Sequence, residues 1–242
     1  MTWNTLLLVV AVLTAAGFIQ GLTGFGFSLF AMGLLPRLLA MEETQAVVTV
    51  NSLVACLAMA GVSWRDVQWS DVWHLWVSCA LGTPLGFFLL RAVPESWALR
   101  VLGLTICALV LFEVLVARRK NLHFPPQMGW GLGLLSGMLG GAFNVGGPPL
   151  VIYIYDRPWT KAQHVATLSA IFTSNIAIRL GLLLGHSQVS AACWVSAAWA
   201  VVPMLLAVIV GKQALRYVPQ AALRTAIDIT LLALGAHYLI WG

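Results

Sequence analysis

Charge is what this sequence has least of. Asp, Glu, Lys and Arg together make up 9% of its 242 residues, against roughly 25% in an ordinary soluble domain. From Asn121 to Tyr155 they are missing from 35 consecutive residues. So little charge excludes a soluble domain, whose surface has to be solvated. A hydrophobic content of 60% with mean hydropathy +0.91 points instead to an integral membrane protein. Apolar stretches near the ~20 residues that a spanning helix needs recur from end to end, so one polytopic membrane domain is expected, without a soluble appendage. A net charge of +5 would suggest nucleic acid as the partner of a soluble protein. Here the basic residues fall in short connectors between apolar runs, where membrane topology accounts for them. The expected surroundings are the lipid bilayer, with no nucleic acid.

Clustered chemistry is scarce as well. The four cysteines, Cys56, Cys79, Cys107 and Cys193, stand far apart in apolar runs and form no CxxC or CxxH pattern, which leaves disulfide and metal frameworks without support. The five histidines, at 74, 123, 164, 186 and 237, show no HxxxH or HExxH spacing, so no zinc or haem site is expected. No serine stands in GxSxG and no carboxylate pair lies in mid-segment, whereas an intramembrane enzyme needs a nucleophile with a base or a metal. The expected protein is therefore not an enzyme and has no catalytic residue, metal site or cofactor. The N-terminus has no basic n-region, and its uncharged run continues to Pro36, past the short apolar core of a signal peptide. It is read as a transmembrane element.

What is present is organised. Uncharged runs mark eight hydrophobic segments, at about 5 to 36, 45 to 63, 72 to 90, 99 to 116, 128 to 155, 163 to 184, 189 to 211 and 221 to 241. The first and fifth are interrupted by "GLTGFGF" at 21 to 27 and "GGAFNVGGPP" at 140 to 149. The halves of the chain, 1–120 and 121–242, resemble each other: "RAVPESWALR" at 91 to 100 matches "RYVPQAALR" at 216 to 224, and "ETQAVVTVNSL" matches "KAQHVATLSAI". That register aligns Gln45 with Gln163 and Thr49 with Thr167, and the interruptions align Gly21 with Gly137 and Ser28 with Asn144. The expected fold is an all-α polytopic membrane protein of two related four-segment halves, each opening with a broken helix, a pattern found in secondary transporters. If each broken segment is a re-entrant hairpin, each half crosses three times and the halves are inverted. That arrangement keeps Arg118, Arg119 and Lys120 on the same cytoplasmic side as Arg157, Lys161, Lys212 and Arg216, as the positive-inside rule asks. Eight full spans would instead leave the tribasic loop outside.

An interrupted helix is tolerated in hydrocarbon only where it is buried in protein or lines a wet cavity. In "NVGGPPL", Gly146 and Gly147 can take conformations closed to other residues, and Pro148 and Pro149 suit the first turn of a helix, so a half-helix is predicted to start in mid-membrane. Its unpaired N–H groups and the positive end of its dipole attract an anion without any formal charge, and Asn144 adds a side-chain donor. Gly21, Thr23, Gly24, Phe25, Gly26 and Ser28 form the pseudo-symmetric counterpart, with Ser28 as cap and hydroxyl donor. The competing reading is that these glycines only permit close packing of helices, as small residues do in membranes.

Gln45, Thr49, Ser52 and Cys56 recur as Gln163, Thr167, Ala170 and Ser174, one small and polar helix face in each half. Such a face either lines a hydrophilic path, with Thr49, Thr167 and Ser174 as substrate contacts, or packs through interhelical hydrogen bonds. Arg179 is the only Asp, Glu, Lys or Arg between Lys161 and Lys212. An intramembrane charge is a functional candidate, here as an anion ligand, but proximity to a helix end at His186 favours snorkelling to the interface. Arg224 and Asp228, on one helix face, are expected to pair, with Glu113 a counter-charge to the tribasic loop.

At these residues the chain resembles the TauE/SafE family of sulfite exporters and related anion permeases. The resemblance rests on "QGLTGFGFSLFAMGLLP" at 20 to 36, "GLLSGMLGGAFNVGGPPLVIY" at 133 to 153, the "AQHVATLSAIF" run and the repeated arginine–proline connector, and it covers nearly the whole chain. It implies transport of a small sulfur oxyanion, such as sulfite or a short organosulfonate, across a bacterial inner membrane. The two broken helices point to alternating access, with the anion bound at them, as the expected mechanism. On the residues alone, a transporter of a metal cation or neutral metabolite and a non-transporting membrane scaffold stay open.

Overall fold

A computed structural model describes residues 3–23, 26–60, 64–112, 124–186, 189–214 and 220–241, with the backbone alone at residues 23, 59, 60, 64, 95, 112, 161 and 220–228. The tribasic loop, Glu113, Gly24 and Phe25 lie outside the described residues, as do the side chains of Thr23, Arg224 and Asp228. Among the described residues the secondary structure is helical: α1 (Trp3–Thr23), α2 (Phe27–Leu34), α3 (Met41–Ala60), α4 (Trp69–Arg91), α5 (Glu95–Phe112), α6 (Met128–Phe143), α7 (Gly147–Tyr155), α8 (Lys161–His186), α9 (Ala191–Ala214) and α10 (Gln220–Trp241), with short 3-10 turns at Leu35–Arg37 and Trp64–Asp66. Trp3–Leu22, Trp69–Arg91, Ala162–His186 and Ala191–Ala214 are long and apolar enough to cross a membrane. The first and fifth segments are broken as expected, each into a longer and a shorter helix.

The helices are built for lipid rather than water. Leu81, Leu184 and Val202 are 62%, 62% and 65% exposed, while Thr49, Ser78, Thr83, Ser136 and Ser196 are buried. Apolar groups outside and small polar groups inside reverse the usual segregation of a soluble fold, and suit helices held together by close backbone approach and internal hydrogen bonds in hydrocarbon. The chain is a multi-pass membrane protein.

Two compact units are formed, Met1–Ala55 with Val93–Phe112 and Gln188–Gly242, and Cys56–Ala92 with Glu113–Ser187. In the first, α1 lies along α9 and α5 along α10. A Cβ on Gly17 or Gly21 would overlap the carbonyls of Met204 or Val208, and one on Gly211 the carbonyl of Phe18. Asn51 Nδ2 reaches from α3 to the Ala197 carbonyl of α9 at 3.2 Å, and the Tyr238 hydroxyl joins α10 to the Gly33 carbonyl of α2 at 2.9 Å.

In the second unit α4 lies along α6. Gly133, Gly137 and Gly141 of α6 leave room for the carbonyls of Leu75, Cys79 and Thr83, and Gly86 of α4 for that of Met138. Val72, Leu75, Leu150, Tyr153, Ile154, Leu168 and Ile171 then close a core shared by α4, α7 and α8. The α1 and α9 pair and the α6 and α4 pair correspond under the alignment of the two halves. In each, the helix that opens one half packs on the third segment of the other half. The repeats are a relation of sequence and the compact units a relation of packing; we propose the division at 120/121 as a repeat boundary, and the packing units cut across it.

Candidate functional site

The break in the fifth segment is made by one residue's conformation. Asn144 ends α6 at φ 60° and ψ 22°, and among the described residues it is the only one besides glycine with positive φ. Asparagine tolerates this left-handed region better than most residues and serves there as a helix stop. Its N–H returns to the Gly140 carbonyl at 2.8 Å, and the Val145 N–H to that of Leu139 at 3.4 Å. The chain then doubles back. Ser136 Oγ donates to the Gly146 carbonyl ten residues on, although a continuous helix would separate the two by about 15 Å. Gly146 has no room for a side chain, because a Cβ there would overlap the Ser136 carbonyl.

Further along, the return strokes of the hairpin stay in register. Tyr153 of α7 brings its hydroxyl to 3.0 Å from His74 Nε2 of α4, beside Gly129 at the start of α6. The Phe124 N–H donates to Asp156 Oδ2 at 2.9 Å, and Arg157 Nη2 to the Phe124 carbonyl at 3.2 Å. Entry and exit of the hairpin are thereby tied together, with the Arg157 guanidinium 4.3 Å from the Tyr153 ring centre. Exposed Trp73 and Trp130 meet edge to face at the same end, 5.7 Å apart.

At the tip, opposite helix ends meet. The last carbonyls of α6 accept from Arg179 of α8: Nε donates to Gly141 at 2.9 Å and Nη2 to Ala142 at 3.3 Å. Arg179 is 1% exposed. It does not snorkel, contrary to the expectation from its distance to the helix end: α8 continues to His186, about two turns further, and the carbonyls exposed by the break supply nearer acceptors. On the other side α7 begins with Gly147, Pro148 and Pro149. A helix start leaves four N–H groups unpaired; the two prolines carry none, leaving Gly146 and Gly147, whose N–H groups enter no hydrogen bond among the described residues. Thr83 Oγ1 approaches Asn175 Oδ1 at 3.2 Å and Cys79 Sγ lies 3.8 Å from Ser136 Oγ, so a buried polar group from α4, α6 and α8 surrounds the tip.

The first break differs in its chemistry. Gly26 takes φ 97° before α2, and the Phe27 N–H, first of the new helix, donates to Gln20 Oε1 at 3.1 Å. Ser28 is half-buried in the first turn of α2, and Gly21 lies in α1 against the Val208 backbone of α9.

Of the polar stripe, Thr49 Oγ1 donates to the Gln45 carbonyl at 2.6 Å, Thr167 Oγ1 accepts the Gln68 N–H at 3.2 Å, and Ser174 Oγ accepts Trp76 Nε1 at 2.7 Å. All three sit in hydrogen bonds of the fold. Within the second unit the tip brings together Asn144, Gly146, Gly147, Pro148 and Arg179, whereas Thr167 is held elsewhere, at Gln68. Sequence reasoning missed Ser136 and Thr83. The signal for both was a lone hydroxyl inside a glycine-rich apolar run, "LLSGMLGG" and "LGTPLG", where close backbone approach turns a small side chain into a partner for main chain.

The family profile described as sulfite exporter TauE/SafE matches residues 8–238. A probable sulfite/organosulfonate exporter TauE from Cupriavidus necator is 28% identical over 239 residues, 95% of this chain and 92% of that protein. A probable inner membrane transporter protein TsaS from Comamonas testosteroni is 26% identical over 186 residues, 75% of this chain and 76% of that protein. No solved structure matches significantly. With a broken, doubled-back segment in the place its motifs require and a profile match along nearly its full length, the chain belongs to the TauE/SafE sulfite exporter family.

Proposed function

We propose that this protein exports a small sulfur oxyanion, sulfite or a short organosulfonate, across the bacterial inner membrane by alternating access, the anion being held at the broken helices. The observation that carries this reading is the α6–α7 hairpin, whose tip combines Gly146 and Gly147 N–H groups, unpaired among the described residues, with a buried guanidinium. The C. necator relative, named for sulfite and organosulfonate export, supports the substrate class.

The hairpin is re-entrant in this reading. Trp73 and Trp130 at its base have the amphipathic character of interfacial anchors. The 16 residues of α6 reach about 24 Å inward, deep into a hydrocarbon layer of about 30 Å. With both broken segments returning to the side they enter, each half crosses three times and the halves are inverted. Asn144, Gly146 and Gly147 serve as donors to the anion at the second break, and Gly26 and Ser28 shape its counterpart at the first. Thr49, Thr167 and Ser174 brace the path from their positions in the helix contacts.

Moving one negative charge outward against an interior negative by 100 mV releases about 2.3 kcal/mol, and a dianion about twice that. At about 1.4 kcal/mol per decade, a dianion gradient of roughly a thousandfold needs no coupled ion. The test is sulfite efflux from liposomes holding the purified protein, with the potential set by a potassium gradient and an ionophore. Efflux should accelerate when the sulfite side is negative and need no proton or sodium gradient. Strict dependence on such a gradient, or transport of cations in place of sulfite, overturns the proposal.

A further inference from the structure

A break in a helix presents both kinds of ligand at once. The end of α6 offers carbonyls and the start of α7 offers N–H groups, equivalent to roughly half a charge of each sign. Left uncapped, such a site discriminates poorly, since unwound carbonyls and helix C-terminal ends are what coordinate cations in other transporters. In this protein several of the acceptors are occupied. Arg179 takes Gly141 and Ala142 through Nε and Nη2, and Ser136 takes Gly146. A full positive charge is set against the negative helix end, while the Gly146 and Gly147 N–H groups have no partner among the described residues.

The first break is arranged differently. There the leading amide of α2, on Phe27, is consumed by Gln20 Oε1. In the register that aligns Gln45 with Gln163, the residue corresponding to Arg179 is Gly61, which carries no charge. The two breaks share a scaffold, and in this register only the second is matched with an arginine.

We propose that Arg179 is the specificity-determining positioning residue of the export proposed above: by capping the carbonyl end of α6 it makes the α7 break the one that takes the anion, and the α2 break its uncharged counterpart. Arg179 acts through the Gly141 and Ala142 carbonyls and the field it leaves at the tip. The inference rests on the export reading.

Two measurements test it. Hydrogen–deuterium exchange on the full-length protein with and without sulfite should slow in peptides covering 144–151 and stay unchanged in those covering 26–30. Protection of the first break alone, of both breaks equally, or of neither, overturns the inference. In liposomes, Arg179→Gln keeps a donor and removes the charge, and should raise the KM for sulfite about tenfold at a similar maximal rate, whereas Arg179→Lys restores a KM near that of the parent. A residue that only braces the fold would lower the amount of active protein and leave KM where it was, and that result also overturns the inference. Should Arg179→Gln fail to insert, the exchange measurement decides by itself. Absence of any sulfite efflux by the parent protein counts against the export reading; efflux with protection confined to 26–30 counts against this inference alone.

Discussion

Asn144 gives the break a backbone conformation and a side-chain amide, and two substitutions separate them. Its φ of 60° costs an ordinary L-residue such as alanine roughly 1–2 kcal/mol, whereas glycine adopts it without a steric penalty. Asn144→Gly therefore keeps the path of the chain and deletes the amide; Asn144→Ala deletes the amide and strains the path. In the proposed role the amide donates to a bound anion, and a hydrogen bond to a charged group contributes about 1.5–3 kcal/mol. Both variants should accordingly raise the KM for sulfite at least about tenfold at ~1.4 kcal/mol per decade. The alanine variant should be less stable than the glycine variant by roughly 1–2 kcal/mol, seen as earlier thermal unfolding in detergent. Liposome efflux gives the first quantity and thermal unfolding the second. An unchanged KM in Asn144→Gly refutes the side chain as a ligand, and an alanine variant as stable as the glycine variant refutes the strain argument.

The glycine contacts predict that Gly137→Leu and Gly21→Leu each destabilise by at least about 1–3 kcal/mol, because the new side chain meets the carbonyl of Cys79 or Val208. Gly181→Leu, with nothing within 4 Å of its Cβ position, is the control, and equal thermal stability of all three would refute the packing account. Residues 1–120 expressed alone should be degraded, since α1 has its partner α9 in the other fragment, and co-expression with 121–242 should recover both; a stable, monodisperse single fragment would count against the exchange of helices. The His74 and Tyr153 contact at 3.0 Å should show a coupling of about 0.5–1.5 kcal/mol in a His74→Phe, Tyr153→Phe double-mutant cycle of thermal stability, and additive effects would remove it from the hairpin's fastening.

Where the chain breaks was legible because glycine and proline act locally. Gly26 takes a φ that side chains avoid, and the pair Pro148 and Pro149 suits the first turn of a helix, whereas the single prolines Pro84 and Pro203 lie inside α4 and α9, so it is the cluster of such residues that marks a break. Arg179 was not legible in the same way. Its distance from His186 is a local quantity, but its destination depends on which carbonyls the break in α6 leaves open, and α6 lies far from it in sequence. Gly21 and Gly137 show a third case: their alignment was visible and their role was not, since a glycine that permits a turn and one that admits a neighbouring carbonyl look alike until the neighbour is known.

That distinction bears on how a repeated fold acquires direction and selectivity. Close packing through Gly17, Gly21 and Gly211 in one unit and through Gly133, Gly137 and Gly141 in the other gives each unit a similar frame. The groups at the breaks are under no such constraint. A neutral Gln20 that occupies an amide and a charged Arg179 that occupies carbonyls are both compatible with a reversed chain, because each satisfies backbone groups that hydrocarbon would leave unpaired. Satisfying the backbone is thus what the fold demands of a residue beside a break, and the sign of the charge that remains is where an ion-transporting function can be set.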